Sequence, residues 1–236
     1  MHKNAERDER ILAHIGLYRV SFRSVISSLF FGGRTPGNVL HRLIAEGRIQ
    51  SRAGLPNRVR YYQLTPTEAE RRGLPVGRSR PPKPQALQTH LAVLWHCCVR
   101  TGGPQRRRLD TGDLTTLFGA AFPPGVYVIE AGKQPRVYRV QVVGPGVRVG
   151  RSAKVLRRRI DSLRRHSLIG PWIRNRQFGF LILTDSEAKC ARAREVIERH
   201  ALRSPAAVQL AFGSVDWTEG AALRHPEPRP RAPRSP

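Results

Sequence analysis

The chain has 236 residues and a formal net charge of +25, with 42 Lys and Arg against 17 Asp and Glu. That length accommodates one large domain or two small ones, and a surplus this large must meet a polyanion or stand as a self-repelling, solvated surface. A nucleic-acid backbone is the commonest such partner, because cations that neutralise phosphates release condensed counterions. No apolar run approaches a membrane span, and Met1 to Glu9 is too polar for a secretory signal. Cys97, Cys98 and Cys190 lack metal-ligand spacing and read as free thiols of a cytoplasmic protein.

The first segment runs from Arg7 to Gly73. Ile11, Leu12 and Ile15 mark a short amphipathic helix. Ser21 is positioned to cap a second helix carrying Val25, Ile26 and Leu29, which Gly32 and Gly33 break. Thr35-Pro36 pairs a cap residue with a first-turn proline at the start of a third helix, whose Val39, Leu40, Leu43 and Ile44 share one face and which Gly47 ends. Two extended stretches follow, Ile49 to Arg52 and Arg58 to Leu64, around a Gly54-Leu55-Pro56-Asn57 tip. In this strand pair, one of Tyr61 and Tyr62 is expected in the core. Thr65-Pro66-Thr67-Glu68 reads as a capping box opening a last helix. Helix, helix, helix, hairpin, helix is the order of a winged helix-turn-helix. With the third helix packed on its apolar face, Asn38, His41 and Arg42 face solvent as candidate readers of base edges. Arg34 and Thr35 at its start can meet phosphates, and the hairpin adds Arg52, Asn57, Arg58 and Arg60.

Residues 75–85 (PVGRSRPPKPQ) read as an extended, stiff, solvent-exposed linker. Beyond it, Ala86 to Val99 has helical spacing, Arg106 to Leu109 can form a strand, Asp113 to Phe118 a short helix, and Val126 to Glu130 and Val137 to Val143 two further strands. Ser152 to His166 is a basic helix in which Leu156, Ile160 and Leu163 take the inner side and leave Arg157, Arg158, Arg164 and Arg165 as a phosphate track. Phe178 to Thr184 (FGFLILT) has the unbroken apolar pattern of a central strand. A helix capped by Asp185-Ser186 and a strand from Val208 to Phe212 complete an α/β layer, and residues 218–236 read as a disordered Pro/Arg-rich tail.

The runs RVRYYQLTPTEAERRGL, QTHLAVLW, FPPGVYVIEAG, RVYRVQVV and FGFLILTDSEAKCARAREVI resemble the replication-relaxation family. The resemblance implies a protein encoded by a plasmid or integrative element, with a winged helix joined to a PD-(D/E)xK-like domain and a role in replication or mobilisation. Positions matching that nuclease motif read Pro123-Pro124-Gly125 and Arg139-Val140-Gln141-Val142-Val143, without the acidic and lysine residues that would hold Mg²⁺ and orient water. Glu130 is the one candidate for a migrated ligand. A rival pattern, Gly125-Val126-Tyr127, Val149-Gly150-Arg151-Ser152, Arg157 to Arg159 and Glu195, resembles the GIY-YIG nucleases, but Arg148 stands where the second motif has Tyr and a whole strand separates the two motifs.

The expectation is an α+β protein: residues 1–74 a winged helix-turn-helix, 75–85 a basic linker, 86–217 a mixed α/β restriction-endonuclease-like domain that has lost catalysis, and 218–236 a tail. The expected function is DNA binding as a pseudo-nuclease of plasmid replication or mobilisation. The expected partner is double-stranded DNA, with a second copy or a replication protein as further partner, and no membrane. No metal or cofactor is expected, since His90, His96, His166 and His200 are scattered. The alternatives are a metal-dependent DNA endonuclease and a protein-binding adaptor.

Overall fold

The computed structural model describes residues 2–53, 55, 59–99, 104–120, 122–201 and 209–215. The chain is α+β and divides into two compact units, residues 1–81 and 82–217. Among the described residues no helix is long and apolar enough to cross a membrane. Asn57, Arg58, the rest of the hairpin tip except Leu55, and the tail expected over 218–236 lie outside the described residues.

In the first unit, α1 (His2–Tyr18), α2 (Arg23–Phe31) and α3 (Gly37–Ala45) precede β1 (Ile49–Arg52), β2 (Tyr61–Leu64) and α4 (Pro66–Arg71). The two strands pair antiparallel, Ile49 opposite Leu64 and Arg52 opposite Tyr61. Ile11, Leu12 and Ile15 of α1 close on Ile26, Leu40, Leu43 and Ile49 in one core. Helix α3 ends in a Schellman turn: Gly47, at φ +66°, and Arg48 donate their N–H groups to the carbonyls of Ile44 and Leu43.

Several local expectations fail for identifiable reasons. Ser21 does not cap α2. It is fully buried, bridges antiparallel to Tyr62 through both backbone groups, and its Oγ lies 3.0 Å from Nε2 of His14. Thr35 does not cap α3 either, because its Oγ1 accepts from Arg23 at 2.7 Å. Leu29 and Ile44, expected in the core, are 41% and 36% exposed, since these nine-residue helices bury only a narrow stripe. Of the Thr65–Glu68 box only half forms: Thr65 Oγ1 accepts from the Glu68 N–H, while the Glu68 carboxylate turns to Arg48, Arg71 and Arg72. Tyr61 is buried and Tyr62 half-buried, as the strand pattern implies. The first part of the expected linker is no free spacer. Val76–Arg78 makes a 3₁₀ turn, Arg78 donates to the Gly16 and Leu17 carbonyls, and Gln50 donates to that of Ser79, which is itself buried. Backbone carbonyls, which Pro-rich composition does not remove, fasten this segment to its own unit.

The second unit is built on a five-stranded sheet in the order β3 (Arg106–Arg108), β4 (Tyr127–Glu130), β5 (Arg136–Val143), β6 (Phe178–Thr184), β7 (Gln209–Ser214). The first three strands run antiparallel to their neighbours and the last three parallel. The β5–β6 crossover carries α7 (Val149–Arg164) and α8 (Ile169–Arg174), and α9 (Glu187–Ala201) connects β6 to β7. Every residue of β6 is buried, as a strand with both faces covered requires. Phe178, Phe180 and Ile182 face Leu156, Ile160 and Leu163 of α7 and Ile197 of α9. Helix α5 (Pro84–Cys98) packs on β3 and β5, and α6 (Thr111–Phe118) starts at an Asp110–Asp113 capping box. At Gly179 an added Cβ would stand 2.4 Å from the Gln209 carbonyl oxygen, so glycine is what lets β7 close onto β6.

Candidate nucleic-acid interface

The two units hold their cations differently. On α3, Asn38 and His41 are exposed and Arg34 and Thr35 flank the helix start. Arg42, one turn on from Asn38, is not a free side chain. Its Nη2 lies 2.6 Å from the buried carboxylate of Asp8 and its Nη1 3.4 Å from Glu46, and these partners hold its pKa above the ordinary arginine value. In the strand pair, Arg52 donates to Gln50 at 2.7 Å and Arg60 to the Ser51 hydroxyl at 2.7 Å. Behind α3 a network joins Glu9 and Glu68 to Arg48, Arg71 and Arg72. Burial would raise the Glu68 carboxyl, but hydrogen bonds from Arg71, Arg48 and Arg72 outweigh it and hold the group at about 2.

The second unit carries an open groove of about 1950 Å³ between the C-terminal half of β5, the start and outer face of α7, and the first turns of α9. Strand β5 supplies Arg139. The turn into α7 and the helix itself supply Arg148, Arg151, Lys154, Arg157 and Arg159, and α9 adds Lys189 and Arg192. Eight cations thus share one cavity, and no Asp or Glu is among the described residues lining it. At the edge of the groove Lys189 pairs with Asp185 at 3.3 Å, while the same ammonium donates to the Gly144 carbonyl at 2.6 Å.

The groove exists because β4 and β5 differ in length. Strand β4 begins at Tyr127 and pairs with β5 only as far as Arg139, so β5 runs on to Val143 without a strand on that edge. Gln141, buried on β5, ties sheet to helix: its Nε2 donates to the Ser152 carbonyl and its Oε1 accepts from Arg159, both at 3.2 Å. Arg139 donates to the Pro124 carbonyl at 2.7 Å. Burial, with repulsion from Arg159, keeps Arg139 below the ordinary arginine value.

Of the basic-helix residues expected to meet phosphate, Arg157 lines the groove, Arg158 and Arg165 are exposed outside it, and Arg164 is half-buried. Arg139, Lys189 and Arg192 escaped the sequence reading. The signal for Arg139 was there: in the alternation Val137, Arg139, Gln141, Val143 it occupies an inward position. Of the GIY-YIG-like set, Gly125, Arg151, Ser152, Arg157 and Arg159 do meet in the groove. Tyr127 is buried with its hydroxyl donating to the Pro123 carbonyl at 2.7 Å, and Glu195 is exposed and paired with Arg199 at 2.6 Å. Glu130 pairs with Arg106. Among the described residues no group of three His, Cys, Asp or Glu is gathered to hold a metal ion. No protein family, curated protein or solved structure matches the chain.

Proposed function

We propose that the chain is a DNA-binding protein that does not itself cut DNA, acting in the replication or mobilisation of a plasmid or mobile element. The observation carrying this reading is the groove in which eight cations converge, with no carboxylate among the described residues lining it and only Lys189 paired to an acid, Asp185. Cations that so outnumber their counter-charges raise a field that a phosphate backbone neutralises with release of counterions. We read the order of α1 to α4 with the strand pair as a winged helix, in which Asn38 and His41 are the free polar side chains of the reading helix. The second unit is then a PD-(D/E)xK-like or GIY-YIG-like layer kept for backbone binding, since Glu130 and Glu195 are spent on Arg106 and Arg199. The test is titration of the full chain against mixed-sequence duplex over a range of salt, with a parallel incubation of supercoiled plasmid in Mg²⁺. Expected are a steep loss of affinity with salt and intact plasmid. Absence of duplex binding at low salt refutes the reading, and nicking lost in Glu195→Ala or Glu130→Ala replaces it with an endonuclease.

A further inference from the structure

The floor of the groove differs from its rim. Arg139 and Arg159 are half-buried, and each donates to a neutral oxygen, that of Pro124 for one and of Gln141 for the other. Neither has an ion pair among the described residues. A Cβ at Gly125 would stand 3.0 Å from Nε of Arg139, so the absence of a side chain there leaves that guanidinium approachable. Arg159 reaches the sheet at Gln141, two residues along β5 from Arg139 on the same face, so two cations in a partly desolvated floor, neither ion-paired among the described residues, form a receptor for an anion that can accept from both.

We infer that Arg139 and Arg159 form a phosphate site for a single nucleic-acid strand that enters the groove backbone-first, an inference that rests on the DNA-binding reading above. The half-burial of Arg139 and Arg159 beneath the exposed rim cations argues against a duplex at this depth. A duplex presents its phosphates on a broad cylinder, with grooves about 6 and 12 Å wide between the strands, and such a surface meets the rim residues Arg151, Lys154 and Arg192 before it reaches a half-buried floor. One strand, with a single row of phosphates, can descend. The lining decides the orientation. Sequence-tolerant binding of single strands generally combines cations with aromatic platforms on which bases stack, and no aromatic side chain is among the described residues lining this groove. The bases therefore point outward and the phosphates inward, so the site is indifferent to sequence. A strand opened from, or frayed at the end of, a duplex held elsewhere on the protein is the chemistry it fits.

The test uses the full chain and fluorescence anisotropy with a labelled oligothymidylate of about twenty nucleotides, long enough for a single-strand site, and a duplex of the same length. Arg139→Gln and Arg159→Gln are expected to weaken the single strand roughly ten-fold or more and the duplex less than about three-fold, with Arg159→Lys, which keeps the charge but loses the planar fork, falling between wild type and Arg159→Gln. Lys133→Gln, in the exposed turn between β4 and β5 and outside the groove, should leave both within about three-fold. Equal losses on strand and duplex, or no loss on either, overturn the inference while leaving duplex binding standing; failure of the wild type to bind any DNA sinks the underlying reading instead. Should the floor variants fail to fold by circular dichroism, arginine modification of the wild type by phenylglyoxal decides. Oligothymidylate should protect Arg139 and Arg159, and inorganic pyrophosphate should do so only at much higher concentration. Protection by pyrophosphate as efficient as by the strand identifies a small-anion site and refutes the strand.

Discussion

The helical face of the first unit and the groove of the second are both rich in arginine, yet the arginines of the two places do opposite things. Around α1, α3 and α4, Arg42, Arg48, Arg71 and Arg72 each reach a carboxylate, and Asp8, Glu9 and Glu68 absorb nearly all their capacity. In the groove of the second unit eight cations converge with no acid among the described residues lining it, and only Lys189 has an acidic partner, Asp185. Net charge alone would treat the units alike. What separates a structural cation from a binding cation is whether the fold has already given it a partner, and that is a property of geometry, not of composition.

The comparison breaks most sharply at Glu68. Replacing it with Gln removes the counter-charge that three guanidiniums share at a buried position, and about 3–5 kcal/mol of stability should go with it. Urea denaturation measures this; a loss below about 1 kcal/mol would mean the network is ornamental. The same carboxyl makes the first unit acid-sensitive. Its folded value near 2 lies below the ordinary 4.5, so its contribution is complete above about pH 4.5 and disappears as pH falls toward 2.

A second, slightly smaller acid effect belongs to His14. Burial lowers it from 6.5 to about 4, so the folded unit favours the neutral ring that faces Ser21, Tyr18 and Phe30. The unfolded chain then binds the extra proton, and stability, full above pH 6.5, should fall by up to about 3 kcal/mol between pH 6.5 and 4. Thermal melts of wild type and His14→Gln compared across that window check it: the variant should lack this slope. A common slope in both chains would assign the pH response elsewhere.

Neighbouring positions on α3 sharpen the contrast between free and committed polar groups. Asn38→Ala should cost about 1–3 kcal/mol on a preferred duplex and little on random DNA. Arg42→Ala should instead cost about 1–3 kcal/mol of folding stability, because it leaves the buried Asp8 carboxylate without its partner, while site preference stays unchanged. Selection from random duplexes with each variant distinguishes the two effects. The smallest effect is graded. Arg151→Gln and Arg157→Gln should each flatten the slope of log affinity against log salt by about 0.9 on duplex, whereas Arg72→Gln should leave it unaltered.

Much of the fold was legible because it depends on local periodicity. The spacing of Leu40 and Leu43, the glycine that ends α3, and the unbroken apolar run of β6 all act within a few residues. The misses were set by distant partners. Ser21 has the chemistry of a cap, but a strand forty residues away takes its backbone and a histidine takes its hydroxyl. Helix α8 carries little local signal, because Gly170 and Pro171 interrupt its pattern; a proline in the first turn is tolerated, and Gly170 is needed because a Cβ there would stand 2.7 Å from the Arg164 carbonyl oxygen. The basic run of α7 was visible as a track, but that its neighbour in space is Arg139 depends on where β4 stops, which no window of sequence around either residue contains.

That acid-free groove has a thermodynamic corollary. Its charges push one another apart whenever the groove is empty, so added electrolyte should firm up the second unit at the concentrations that dislodge its ligand. Affinity and melting temperature should therefore move in opposite directions along one salt titration. A multivalent anion that settles among Arg139, Arg151 and Lys189 acts as a silent ligand, and at one hundred times its dissociation constant it adds about 2.7 kcal/mol to the folded state. Preparations in sulfate or phosphate would then contain a sturdier protein and a blocked one at once, and a binding constant measured in such a buffer would describe exchange between two anions rather than capture of one.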